Sequence, residues 1–226
     1  MKSTTAKRVF FLAIGLLLFG SALAGTLEPP GPVGPTMVTL QQIYDKVSGQ
    51  GGGFPVAKTG QTTCWNSSGT VVNCLFTGQD GAVQKGVSVS PRFTDNADGT
   101  VKDNLTGLIW LKNANCFGMQ NWTTALTTAN TLASGSCNLS DGSGARDWRL
   151  PNVKELQSLI DFGRFQPALP PGYPFSGVQS TIYWSSTTLA SYPNNAWYVH
   201  LLYDGEVRYS DKEHDFYFVW PVRGGP

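Results

Sequence analysis

The apolar positions of this chain change period several times, and each change predicts an element. The sharpest change lies in D-W-R-L-P-N-V-K-E, Asp147 to Glu155. Pro151 holds Leu150 extended. Asn152 followed three residues later by Glu155 is a capping-box pattern, in which each side chain accepts from an otherwise orphaned amide of the first turn. The spacing predicts a helix from Asn152 to about Phe162 that presents Val153, Leu156, Leu159 and Ile160 on one face, with Trp148 and Leu150 entering the same core from the other side. A second stripe, Trp122, Ala125, Leu126, Ala129 and Leu132, follows Asn121 as its cap. A third, Leu40, Ile43, Tyr44 and Val47, is opened by Thr39 and Gln42 and closed by Gly49. It predicts a helix too short to stand alone in water, which docks on the domain or packs against copies of itself.

Elsewhere the period falls to two. T-T-C-W and T-V-V-N-C-L-F flank Asn66-Ser67-Ser68-Gly69 and predict a hairpin between Lys58 and Val87. Arg92 to Asp95 and Thr100 to Asp103 flank Asn96-Ala97-Asp98-Gly99, a turn with glycine where a positive φ is needed. Leu108 to Leu111 reads as a buried strand. After a Pro/Gly-rich connection, Thr181 to Thr187, Ala196 to Leu202, Gly205 to Tyr209 and Phe216 to Arg223 read as strands, with Tyr203-Asp204-Gly205 as the tight turn between the middle pair. Two helices between an early hairpin and a late meander predict an α+β domain with an antiparallel sheet, preceded by a small disulfide-pinned hairpin.

Composition adds compartment and exclusions. Lys2, Lys7 and Arg8 precede an apolar run from Val9 to Phe19, and Ala22-Leu23-Ala24 offers a small-x-small cleavage site, so residues 1–24 read as an export signal. The run is short for a membrane helix and no second one follows, so no stable span is expected after cleavage. Residues 25–53 form a Pro/Gly-rich tether with the short helix; its two G-x-y triplets are too few for a collagen triple helix. An accessory β segment at 54–91 and a domain at 92–223 complete the plan. Without the signal's three basic residues the chain carries 13 Lys+Arg against 15 Asp+Glu, or −2. A nearly neutral charge argues against nucleic acid and other polyanions as partners. In an oxidising compartment the four cysteines read as nearest-neighbour disulfides, Cys64 with Cys74 and Cys116 with Cys137; no C-x-x-C pair supports zinc. The second bond would tie the loop before the Asn121-capped helix to the loop after it.

Candidate chemistry is sparse. Asp95, Asn96, Asp98 and Asp103 suggest calcium, but with Gly99 at the sixth position of an EF-hand loop the twelfth is Leu105, so turn chemistry is the better account. Ser185-Ser186 lacks a G-x-S-x-G elbow, neither His200 nor His214 has a triad context, and Lys212-Glu213-His214-Asp215 lacks metal-ligand spacing. The expectation is no catalytic residue, no metal and no cofactor. The candidate ligand-binding surface is Trp197, Tyr198, Asp204, Glu206, Arg208, Tyr209 and Lys212, where aromatic faces stack on sugar rings or apolar groups and charged neighbours hold hydroxyls or ions. Strand alternation offers Trp184, Trp197 and Trp220 the core instead.

Several strings align in order: R-F-T-D-N-x-D-G-T-V-x-D-N-L-T-G-L-I-W from Arg92, D-W-R-L-P-N-x-x-E-L from Asp147, Y-W-S-S-T from Tyr183, A-W-Y-V from Ala196 and V-W-P-V-R from Val219. They resemble the DUF1566 family, also called the Lcl C-terminal domain family after a collagen-like adhesin. The resemblance implies a C-type-lectin-like fold, distantly similar to formylglycine-generating enzymes. The adhesin is associated with sulfated glycosaminoglycans and with trimers formed through its collagen-like stalk; this chain has only a vestige of that stalk and little net charge. The E-P-N, Q-P-D and W-N-D triplets of calcium lectins do not occur, Tyr192-Pro193-Asn194-Asn195 lacking the acidic member. Val219 to Arg223 contains no cysteine for formylglycine-type oxidation. The implied role is an exported, non-enzymatic binding or adhesion module for carbohydrate or another cell-surface ligand. The alternative is an envelope assembly component that recognises protein partners. A homo-oligomer, and periplasm against cell surface or secretion, stay open.

Overall fold

The computed structural model describes residues 56–203 and 205–224. The expected export signal, the tether and the helix at 39–48 lie outside the described residues, as does Asp204.

The accessory segment opens with the expected hairpin, β1 (Cys64–Trp65) paired antiparallel with β2 (Val71–Val72). Asn66 Oδ1 accepts from Ser68 N (3.0 Å) and Thr70 N (2.9 Å), so one side chain closes the turn. Cys64 and Cys74 are disulfide-bonded across it, with Cα atoms 5.2 Å apart. A single helical turn, α1 (Asp80–Val83), follows; its apolar spacing is too short to register as a period. The segment is tied to the rest by Phe162 N, which donates to Thr59 O (2.7 Å), and Gln61 Nε2, which donates to Phe162 O (3.3 Å).

Two sheets make up the larger part. The first is antiparallel, with β3 (Phe93–Asp95), β4 (Thr100–Asp103), β5 (Ile109–Leu111) and β11 (Val222–Arg223) in the order β11-β5-β4-β3. The second has the order β6-β10-β7-β8-β9, built from β6 (Met119–Gln120), β7 (Ile182–Thr188), β8 (Asn195–His200), β9 (Glu206–Asp211) and β10 (Tyr217–Phe218). This sheet is mixed where an antiparallel one was expected, because β10 lies parallel to β7.

The expected final strand is in fact two. Tyr217–Phe218 belong to the second sheet and Val222–Arg223 to the first, with Val219, Trp220 and Pro221 crossing between them. Pro221 has no N–H for a ladder, and its carbonyl accepts from Leu111 N (3.1 Å) while Trp220 Nε1 donates to Leu111 O (2.8 Å). Trp220 is fully buried in the larger core, edge-on to Trp110 (centroids 5.6 Å) and Phe175 (4.8 Å). One crossing residue thus joins both sheets.

Helix α2 (Trp122–Thr131) begins at Asn121, whose side chain accepts from Thr124 N. Ala125 and Ala129 are fully buried against Trp184 and Ala196 in a second, smaller core. The Cys116–Cys137 disulfide spans this helix as expected, with Cα atoms 5.8 Å apart. Helix α3 (Val153–Gln157) carries the complete capping box: Asn152 Oδ1 accepts from Lys154 N and Glu155 N (both 2.9 Å), and Glu155 Oε2 accepts from Asn152 N (2.8 Å). It ends five residues before Phe162, the expected end, because the chain tightens to i→i−3 bonds (Leu159 N to Leu156 O, Ile160 N to Gln157 O) and Asp161 N turns to Ala168 O. Leu156, Leu159 and Ile160 are still buried together. Trp148 joins this larger core, but Leu150 falls in the smaller one, so the segment between them serves two cores where one was expected.

Candidate functional site

The β8–β9 hairpin carries most of the predicted surface, and its register sorts those residues by face. Tyr198 pairs with Arg208 and His200 with Glu206; one residue along, Trp197 pairs with Tyr209 and Val199 with Val207. Directly opposed residues share a face and neighbours alternate. Tyr198, Glu206 and Arg208 therefore lie on one side of the sheet and Trp197 and Tyr209 on the other. These five residues of the predicted set do not form one surface, as a two-residue period forbids it.

The first face is covered by α2 toward Ala196 and Trp184 and opens toward His200. Arg208 Nη2 lies 2.6 Å from Glu206 Oε1, with the two side chains 66% and 36% exposed. Tyr198 is half-buried against Trp184 and Tyr217, with centroids 6.5 and 5.3 Å away, and burial pushes its phenol above the ordinary pKa. Burial pushes the His200 imidazole below its ordinary value, and Glu206 across the strand pair pulls the other way. His200 also meets the ring of exposed Tyr203 edge-on at 5.0 Å. Sequence reasoning set His200 aside; its signal was the two-residue step from Tyr198 in the expected strand.

On the other face Trp197 and Tyr209 meet edge-on, centroids 5.9 Å apart, with Trp197 half-buried and Tyr209 50% exposed. Trp184 and Trp220 are fully buried, as alternation anticipated. Lys212, expected beside Arg208, sits past the far end of β9. Its Nζ lies 4.1 Å from the centroid of Trp122 and donates to Thr188 Oγ1 and Pro193 O (both 2.8 Å). Desolvation there lowers its pKa. Lys212 clamps the β7–β8 connection to the start of α2 and is not free for a ligand.

The turn after β9 is organised by Asp211, whose Oδ1 accepts from Glu213 N and His214 N (both 2.9 Å) and faces His214 Nδ1 at 2.9 Å. Those backbone amides lower the Asp211 pKa, and Asp211 raises that of His214.

The acidic residues of the β3–β4 hairpin are occupied locally. Asp95 Oδ1 accepts from Ala97 N and its Oδ2 meets Lys112 at 2.5 Å; Asp98 Oδ1 accepts from Thr100 N and Oγ1. Asp103 is fully buried and accepts from Arg92 Nε (2.7 Å) and Nη2 (2.8 Å), Leu105 N (2.9 Å) and Thr106 Oγ1 (2.7 Å). No cluster of three or more His, Cys, Asp or Glu suited to a metal occurs among the described residues. Between the accessory segment and the domain lies a cleft of about 320 Å³, lined from 57–62, Gln84, 87–89, Arg92, Leu105, Ile160, Asp161 and Pro170, which no sequence pattern announced.

These features define a sheet-dominated α+β domain stapled by disulfides, whose charged motif residues are spent on its own turns. The chain belongs to the Lcl C-terminal domain family, whose model matches residues 99–223, more than half of its length. No curated protein and no solved structure shows significant similarity to it. Both disulfides are formed, and among the described residues no helix is long and apolar enough to cross a membrane. The disulfides fit an exported protein.

Proposed function

We propose that this protein is an exported, non-enzymatic binding module with a C-type-lectin-like fold that engages carbohydrate or another cell-surface ligand through the open end of the β8–β9 face. One observation carries the reading. The acidic and basic residues in the family strings at Arg92 and Asp147 are largely consumed by internal hydrogen bonds, whereas Arg208 and Glu206 meet solvent beside Tyr198, His200 and Tyr203. A planar guanidinium next to a carboxylate and aromatic edges is the donor, acceptor and stacking set that a sugar ring or a polar peptide group requires. Export is supported by the two disulfides and the signal-like residues 1–24.

The test is retention on an array of neutral and sulfated glycans. Binding by the intact exported chain that falls with Arg208→Ala, while the folded state is unchanged by circular dichroism, supports the reading. No retention on any glycan removes carbohydrate as the ligand. The protein-partner alternative is favoured by one feature, the position of β9 at the edge of its sheet, where backbone groups can accept a further strand. Sedimentation of the chain, alone and with envelope extract, distinguishes the two.

A further inference from the structure

The cleft between the accessory segment and the domain shares no element with the β8–β9 face, and it contains a largely buried carboxylate with one oxygen unpaired among the described residues. Asp161 lines it and is only 8% exposed. Its Oδ1 accepts from Gly163 N (2.8 Å). Among the described residues, Oδ2 has no hydrogen-bond donor and no cation within ion-pair distance. Oδ2 is not one of the fully enclosed unpaired atoms, so it faces the cleft, where the surrounding low-dielectric wall strengthens its attraction for a cation over that in open water. Arg92, the cation on the same wall, is already committed to Asp103 and to Ser158 O (2.8 Å). Lys58 also lines the cleft and makes no ion pair among the described residues.

The accessory segment holds this arrangement closed. Gly60 has φ +88°, and a Cβ there would sit 2.0 Å from Asp161 Oδ1, so only glycine lets the 59–61 backbone press against the carboxylate. The bonds from Phe162 N to Thr59 O and from Lys58 N to Val87 O (3.0 Å) fix the two edges. Val87, Ile160 and Pro170 supply apolar wall. The volume is at the lower end of the range for small-molecule sites, enough for a monosaccharide or a short alkyl chain.

We propose that this cleft binds a small organic cation, an alkylammonium or the ammonium of an amino sugar, with Asp161 meeting the charge and Val87, Ile160 and Pro170 the carbon skeleton. The site is separate from the proposed glycan face, so either can fail alone.

The experiment is an amide-resolved NMR titration of the intact exported chain with two cations and their neutral twins, butylammonium against 1-butanol and glucosamine against N-acetylglucosamine. The cations should shift the amides of Gly60, Gln61, Val87 and Gly163, and the neutral twins should not. Asp161→Asn, which keeps the shape and an oxygen for Gly163 N, should weaken the cations by about tenfold or more. Lys58→Met, which removes the internal competitor, should leave them equal or tighter. Should Asp161→Asn fail to fold, Val89→Trp fills the cleft with Asp161 in place and should abolish the shifts. Equal response to cations and twins, shifts mapping elsewhere, no shifts at millimolar ligand, or unchanged cation affinity in a folded Asp161→Asn or Val89→Trp protein would each overturn the proposal.

Discussion

Two arginine–carboxylate pairs in this protein have nearly the same length and different jobs. Arg92 meets Asp103 at 2.7 Å with side chains 17% and 0% exposed, and Arg208 meets Glu206 at 2.6 Å with side chains 66% and 36% exposed. The first pair is surrounded by further bonds, from Leu105 N and Thr106 Oγ1 to Asp103 and from Arg92 Nη2 to Ser158 O, so both carboxylate oxygens and two of the three guanidinium nitrogens are engaged. The second stands on an edge strand with water on one side, where the attraction is screened and a ligand can replace it at little cost. Distance says nothing about this difference. Surroundings decide whether a charge builds the fold or is available to a partner.

The largest test of that contrast is Asp103→Ala, which strands Arg92 and removes the acceptor of the following turn. It should cost about 3–5 kcal/mol of unfolding free energy in a urea titration; a loss within experimental error would erase the distinction between the pairs. Next, replacing Cys116 and Cys137 together by serine releases the loops at both ends of α2 and should cost about 3 kcal/mol by the same measurement. Asn152→Ala removes the acceptor for two amides of α3 and should cost about 1 kcal/mol. Arg208→Ala should move stability by no more than about 0.5 kcal/mol, with its effect on ligand retention instead.

The smallest effect is in pH. Burial holds the folded pKa of His200 below its unfolded value, so the unfolded chain takes up that proton first. Stability referred to this group is complete above about pH 6.5 and is lost as pH falls from there through the lower folded pKa. His200→Gln should flatten that slope in urea midpoints collected across the window; an identical slope would remove His200 from the account.

Legibility in the sequence followed the range of the interaction. The capping box at Asn152, the Asn66 and Asn96 turns, the stripe of α2 and both disulfides were read correctly, since each is closed by residues a few positions apart or by a short loop. The family match over 99–223 takes in the caps at Asn121 and Asn152 and the Cys116–Cys137 bond but leaves out the Asn66 turn and the Cys64–Cys74 bond. The failures needed a partner that no turn, cap or cysteine pattern points to. The end of α3 depends on Ala168 O, the division of the last strand on Leu111, and the commitment of Lys212 to internal partners on Trp122, Thr188 and Pro193.

The candidate site was half legible for the same reason. That Tyr198, Glu206 and Arg208 belong together follows from a two-residue period and a tight turn, both present in the chain's own order. The separation of Trp197 and Tyr209 onto the opposite face was implicit in that period. Which end of either face stays open was not, because α2 arrives from seventy residues upstream to cover one end of the first. The chain alone determined its turns, caps, crosslinks and strand periods, whose energies are settled between neighbours. The tertiary structure decided which charges are enclosed and which meet water, and it assembled the cleft at Asp161 from segments a hundred residues apart, since burial depends on every element that packs against a residue.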